Sequence, residues 1–375
     1  MIIKRLASLL ILLAAALPAL RASGTAECDS CSHHGKTYWI KQLIDNGFHI
    51  HDTTVCYPRF PRFALKVYNW GDRTFNSYDT AYVVGTGKNW KLMGKSFNWL
   101  ETSTMLFPEN LSLDMHSNVY ADAGFSLSFM AVSVGYMWNM NQLFSHPTSR
   151  HTFNLQFTTS RFSASFSNIS SEGGMIITRL GNFRNHSRLH YRFDDVRLNT
   201  KQFDLVYFFN HNRYSHGAAY AYSKYQLRSA GTALVGILYS EQKMEMNFSS
   251  LPPEMQENIP LDNLNYSSHY RAYSAQGGYT YNLVLKPRRW LINFFGSAAV
   301  GYRQIFGTRE QIENESRKAR NLMSNTVQAN IAAVYNHRAL FLALTARYTG
   351  YFCYNTQFNH INSYPSLTAV VGMRF

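Results

Sequence analysis

The chain has 375 residues; only 15% are charged, while 46% are hydrophobic and 15% aromatic, with 25 Tyr and 26 Phe. Soluble globular proteins carry about 25% charged residues, so the composition argues against an ordinary water-facing domain. The net charge of +14 is scattered along the chain, without the basic stripe expected of a nucleic-acid binder, and fits an anionic lipid surface better.

Taken in order, Lys4 and Arg5 precede an apolar run from Leu6 to Leu17, then Pro18 and the small residues Ala22 and Ser23. That is a charged start, a stretch too short to span a bilayer comfortably and a cleavage zone, so residues 1–23 are expected to be a removable export signal. No later run approaches the roughly 18–20 apolar residues of a transmembrane helix. Cys28 and Cys31 form a single CxxC ahead of His33 and His34. A structural zinc site needs four ligands at two recurring spacings, so no metal or cofactor is expected. These cysteines read as redox-labile or disulfide-bonded. Lys36 to Asn46 places Trp39, Ile40, Leu43 and Ile44 on one helical face, with Gly47 as the stop.

Residues 57–91 are dense in aromatics and turn formers, and Pro58 and Pro61 exclude a regular helix or central strand there. The segment reads as an irregular plug or periplasmic cap pinned by aromatic packing. Tyr57-Pro58-Arg59-Phe60, Val67-Tyr68-Asn69-Trp70-Gly71-Asp72 and Phe75-Asn76-Ser77-Tyr78-Asp79 resemble a family of uncharacterised outer-membrane β-barrel proteins of Bacteroides-like bacteria, classed as a domain of unknown function. Asn212-Arg213-Tyr214-Ser215 and Gln226-Leu227-Arg228-Ser229-Ala230-Gly231 are similar too, so that the resemblance covers nearly all of the mature chain. It implies an outer-membrane location and a barrel, with no activity to carry over.

From Trp90 onward the side-chain period is two. Phe153, Leu155 and Phe157 alternate with Asn154 and Gln156; Leu340, Leu342, Leu344, Ala346 and Tyr348 alternate with Ala343, Thr345 and Arg347. The polar face carries Thr, Ser, Asn and Gln more than charge, which suits a barrel interior; a soluble sandwich would present more Lys and Glu. Strands are expected to begin near Trp90, Tyr120, Ala131, Thr152, Phe162, Gln202, Gly217, Thr232, Tyr270, Trp290, Asn325, Ala339 and Leu367. Single-chain bacterial barrels have even counts. One more strand, near Met175–Leu180 or Leu189–Phe193, would make about fourteen; twelve is the alternative. The last strand has Leu367, Ala369, Val371, Met373 and Phe375 on one face, with Val370 breaking the polar alternation. It resembles the C-terminal signal by which outer-membrane proteins are recognised for assembly.

An all-β, transmembrane, antiparallel up-and-down barrel over residues 89–375 is therefore expected, following a periplasmic or plug segment over 24–88, with both termini in the periplasm. Outer-membrane lipid, lipopolysaccharide and the barrel-assembly machinery are the expected partners. The function expected first is a pore or transporter for small solutes or apolar molecules. A non-conducting structural or surface-interaction barrel is the alternative, followed by a lipid-modifying enzyme. For the last, Asp204, His211, Ser215 and His216 supply suitable side chains, with Asn210–His216 read as a short external hairpin. In a chain so rich in Ser and His, coincidence is the plainer explanation, and no catalytic residue is expected. The loop from Arg309 to Arg320 is helix-compatible, with Glu313 and Arg317 at i,i+4 spacing.

Overall fold

The computed structural model describes residues 38–46, 55, 57–59, 61–63, 65–66, 77–88, 90–129, 132–140, 150–183, 188–259, 264–356 and 358–375. The expected export signal, Cys28, Cys31, Cys56, His33, His34, and Phe60, Tyr68, Asn69, Trp70, Gly71, Asp72, Phe75 and Asn76 of the family-like motif lie outside the described residues. Residues 1–67 and 68–375 separate as two compact units. In the first, α1 (Tyr38–Asp45) occupies the expected helix, and the Trp39 ring lies 5.8 Å from that of Tyr57.

The second unit is built of strands. In chain order they are β1 (Val83–Gly85), β2 (Trp90–Trp99), β3 (Thr102–Leu106), β4 (Ser112–Ser117), β5 (Tyr120–Phe129), β6 (Val132–Asn139), β7 (Arg150–Thr158), β8 (Phe162–Glu172), β9 (Met175–Leu180), β10 (Tyr191–Phe193), β11 (Val196–Phe208), β12 (Lys224–Gln226), β13 (Ala230–Asn247), β14 (Asn265–Lys286), β15 (Trp290–Phe306), β16 (Met323–His337), β17 (Leu340–Tyr354) and β18 (Asn359–Arg374). Among the described residues twelve form the wall: β2, β5, β6, β7, β8, β11 and β13 to β18. Each pairs antiparallel with its neighbours, and β18 returns to pair with β2, closing an up-and-down barrel. The fold is the expected one, at the smaller strand count.

Period two explains the wall. Large apolar side chains stand outward and solvent-exposed, as at Phe125 (62%), Tyr136 (66%) and Val371 (60%), while Thr280, Asn282 and Asn293 on the inner face are fully buried. On β15 the outward stripe runs from Trp290 to Tyr302, about 40 Å along a strand rising ~3.3 Å per residue. A strand tilt of about 40° reduces this to a height of about 30 Å, the thickness of a bilayer core. Leu367, Ala369, Val371, Met373 and Phe375 all face outward. Val370, which breaks the polar alternation, is buried inside the barrel against Met93, Phe341 and Ala343.

The strand reading differs from the structure in not expecting β3 and β4, and in two further places. Gly217 starts a π-helical turn, Gly217–Ala221, and not a wall strand; alternating small and aromatic residues mimic period two there. Met175–Leu180 is a strand, β9, but it belongs to a cap and not to the wall. Without a strand at Gly217 the direction of the chain inverts. Asn210–His216 is therefore not an external hairpin opposite the C-terminus; it lies at the same end as Phe375. The register carries this from Phe208↔Leu234 through Ala230↔Asn282, Lys286↔Trp290 and Trp290↔Tyr335 to Leu340↔Met373.

The cap forms because β18 changes partners. Ser366–Arg374 pairs with β2, whereas Asn359–Ser363 pairs with β3. Pro365, which has no N–H to give, stands at the changeover and accepts from the Leu100 amide at 3.2 Å. The order then runs β3–β4–β9–β10, so that β4 pairs directly with β9 and bypasses β6 and β7. Gly173 and Gly174, with φ of 73° and 78°, make the bend from β8 into β9 in a conformation that few other residues adopt. Beneath the cap Met105, Leu113, Met115, Ile177, Phe193 and Phe248 form an apolar core, which Leu251, Met255 and Ile259 of the β13–β14 connection complete. In the β15–β16 connection the expected helix is present as Arg309–Ser316. Its i,i+4 pair is Arg309–Glu313 at 3.3 Å, in place of Glu313–Arg317.

Candidate functional site

Among the described residues, the bore is where this wall brings many polar groups together away from bulk water, and β11 divides it. Thr200, Gln202 and Asp204 are successive inward residues of β11. Thr200 Oγ1 lies 3.4 Å from Tyr364 Oη on β18, and Tyr351 on β17 donates to Gln202 Oε1. Gln328 Nε2 on β16 donates to Asp204 Oδ2 at 3.4 Å, and Gln276 Nε2 on β14 donates to Oδ1 at 3.3 Å. In a ring of twelve, β18 is directly opposite β11. One side chain from each wall spans the bore, so the cross-section is flattened along this line.

On one side of this strut the bore is filled. The connection from Phe209 to Ser229 folds inward instead of turning along the rim, because it carries a buried apolar face: Tyr214 packs with Phe208 and Leu234, and Ala218, Ala219 and Tyr222 pack with Leu291, Val334 and Phe341. Its polar groups are met one by one. Asn293 Nδ2 is within reach of Tyr214 Oη, Thr280 Oγ1 and Asn282 Oδ1 at 3.2, 3.0 and 2.8 Å, and Tyr220 donates to Asn293 Oδ1 at 2.7 Å. Gln226 accepts from the Ser215 amide and donates to the Arg213 carbonyl. Two buried cations hold the end of the π-turn. Lys91 Nζ donates to the Ala221 carbonyl at 2.5 Å. Arg374 donates to the Tyr222 carbonyl at 2.8 Å and to Asn336 Oδ1 at 2.6 Å, lying 4.4 Å above the Phe341 ring. A cation at a helical C-terminus meets the negative end of its dipole.

On the other side β2 still turns large residues inward, Lys91 and Met93 against the inserted connection and Trp99 against Tyr120 of β5, but β5 and β8 carry the small inward residues Ser126, Ser163, Ser165 and Ser167. Asn154 on β7 and Arg347 on β17 share the inner face with Ser167 and Asn330, their partners in register, yet both are solvent-exposed. The bore therefore holds space accessible to solvent beside Asn154 and beside Arg347.

The four candidate catalytic side chains are not brought together. Asp204 belongs to the strut, and Ser215 donates to Tyr78 Oη at 3.4 Å. His216 lies between Phe208 and Tyr220 at 5.0 and 4.5 Å, while His211 stays at the rim, held below the ordinary imidazole range by partial burial and by the Arg161 guanidinium. No hydrogen bond among the described residues joins any of the four to another. Of the family-like motif, Tyr57 and Pro58 belong to the first unit, and Tyr78 and Asp79 pin the plug. The Asp79 amide donates to the Asn212 carbonyl at 2.8 Å, Lys224 lies 5.4 Å from the Tyr78 ring, and β1 pairs with β12. Sequence reasoning missed Lys91 and Arg374 as plug contacts. Their signal is a charge on an inward position of adjacent strands whose other inward positions are mostly uncharged.

No functionally curated protein matches the chain. Among solved structures, the outer membrane protease OmpT from Escherichia coli is 10% identical over 78% of this chain and 98% of its own, with a TM-score of 0.34. The translocator domain of the autotransporter NalP from Neisseria meningitidis is 9% identical over 90% and 99%, at 0.32. The P. putida toluene transporter TodX is 8% identical over 81% and 97%, at 0.21. The family model described as a domain of unknown function, DUF4421, matches residues 77–375, which takes in the plug-pinning strap and the whole barrel wall; the chain belongs to the DUF4421 family.

Proposed function

We propose that this protein is an outer-membrane barrel that admits small polar solutes through one lobe of a divided bore. The apolar outer belt of bilayer height supports the location, and the short turns between Lys286 and Trp290 and between His337 and Leu340, against the longer connections of β13–β14 and β15–β16 at the other end, support a periplasmic position for the end that carries them. In this reading the barrel does no covalent chemistry. The observation that carries it is Arg347, inward-facing and yet solvent-exposed. A cation lining a narrow polar passage favours anions.

Reconstitution in planar bilayers tests the reading. Small, anion-favouring conductance is expected, with Arg347→Glu shifting the preference toward cations. A second reading, a non-conducting surface barrel, is favoured by the apolar cap at one end and the inserted connection at the other. Absence of conductance both in the parent and in a Lys91→Met/Arg374→Met variant that frees the plug would decide for that second reading.

A further inference from the structure

On β11, β13, β14 and β15 the lipid-facing wall is apolar up to one level and charged at the next. The register aligns Phe203, Tyr239, Tyr273 and Tyr302 side by side, and one step farther from the C-terminal end it aligns Lys201, Glu241, Arg271 and Gln304. All of these face outward, so the charges point away from the bore. Glu241 is the nearly buried centre of the group: Lys201 Nζ lies 3.7 Å from Oε2, Arg271 Nη2 3.7 Å and His269 Nε2 3.1 Å from Oε1. Arg271 also lies 4.9 Å from the Phe306 ring, on which His269 stacks at 4.7 Å. Its Nε is buried and makes no hydrogen bond.

Charge on the lipid face of a barrel is costly at the membrane centre and tolerated only near an interface. This cluster sits at the interface, one row beyond the aromatic belt. Two cationic side chains and one imidazole surround a single carboxylate, and Lys243 follows in the next row. The group is thus over-supplied with donors for an anion delivered from the membrane.

We propose that Lys201, Arg271 and His269 form a lipid-facing site for the phosphate of a phosphorylated glycolipid of the outer leaflet. The acyl chains would lie along Tyr239, Tyr273 and Tyr302, and Glu241 holds the cations in place. The assignment of the leaflet rests on the orientation proposed above; the phosphate chemistry does not. A phosphate can take the two N–H groups of a guanidinium and an ammonium together.

Purified protein in detergent, titrated with bisphosphorylated lipid A and read by native mass spectrometry, tests the site. Lys201→Gln/Arg271→Gln is expected to weaken binding by about tenfold or more, because it removes two charge-assisted contacts. Dephosphorylated lipid A is expected to bind the parent as weakly. Glu241→Gln keeps the shape while removing the competing charge, and is expected to bind at least as tightly as the parent. Equal binding of both lipids, or an unaffected double variant, would overturn the site. Displacement of lipid A by millimolar inorganic phosphate would assign the cluster to free anions and overturn the glycolipid. Labelling of a Glu313→Cys variant on intact cells by an impermeant maleimide reads orientation separately. Lack of labelling overturns the placement of this end at the cell surface, and leaves the detergent result to stand or fall alone.

Discussion

The two lobes of the bore are walled by the same kind of strand and end up in opposite states. Over β13 to β15 the inward positions carry Tyr270, Gln276, Thr280, Asn282 and Asn293, which are buried and bonded to other inward wall residues or to the inserted connection. Over β5 to β8 they include the small residues Ser126, Ser163, Ser165 and Ser167, and Asn154 there is solvent-exposed. A barrel of twelve strands is wider than its own side chains can fill unaided, so the difference teaches that filling was supplied from outside the wall. A 21-residue connection entered one lobe, and nothing among the described residues entered the other to the same extent.

That contrast can be broken most strongly at its hub. Asn293→Leu removes the amide that serves Tyr214, Thr280, Asn282 and Tyr220, leaving several buried groups unpaired at about 1–3 kcal/mol each. Denaturant unfolding in detergent should show loss of about 3 kcal/mol or more. Arg374→Met comes next. It strands the Tyr222 carbonyl and Asn336 Oδ1, and about 2 kcal/mol of plug stability should go with them. Faster hydrogen exchange at residues 217–222, with the wall strands unchanged, would identify the loss as local. Tyr351→Phe deletes one cross-bore bond and should cost about 1 kcal/mol, read by the same unfolding experiment. At the open lobe, Ser165→Ala should change stability by less than about 0.5 kcal/mol. Ser165→Tyr should be tolerated as well while reducing conductance; a strongly destabilised Ser165→Tyr protein would mean that this lobe is as full as the other.

The wall was legible because outward residues answer to one rule only. Leu340, Leu342 and Leu344 had to be apolar and evenly spaced whatever lay elsewhere in the chain, so period two marked their strand correctly. The same rule failed at Gly217–Tyr222, where small and aromatic residues alternate for a different reason: they pack a π-turn into a lumen. It succeeded locally and misled globally at Met175–Leu180, a true strand whose partners are β4 and β10 and not wall strands. The catalytic candidates failed for a related reason. Residue types that could form a triad were present, but Asp204 is on the strut and Ser215 on the plug, and no spacing rule ties one to the other.

The amino-acid sequence by itself determined that this chain builds a barrel with an apolar outer face, that its last strand closes the wall, and which side of each strand faces outward. Those properties follow from local alternation and from the physics of unpaired backbone groups in hydrocarbon. Only the tertiary structure decided how the bore is used. The direction of the 209–229 connection, the partner change of β18 at Pro365, and the meeting of β11 with β16, β17 and β18 all depend on contacts between residues more than a hundred positions apart. Val370 shows both levels in one residue: as sequence it is a flaw in the alternation, and in the folded barrel it is the apolar contact that seats the plug.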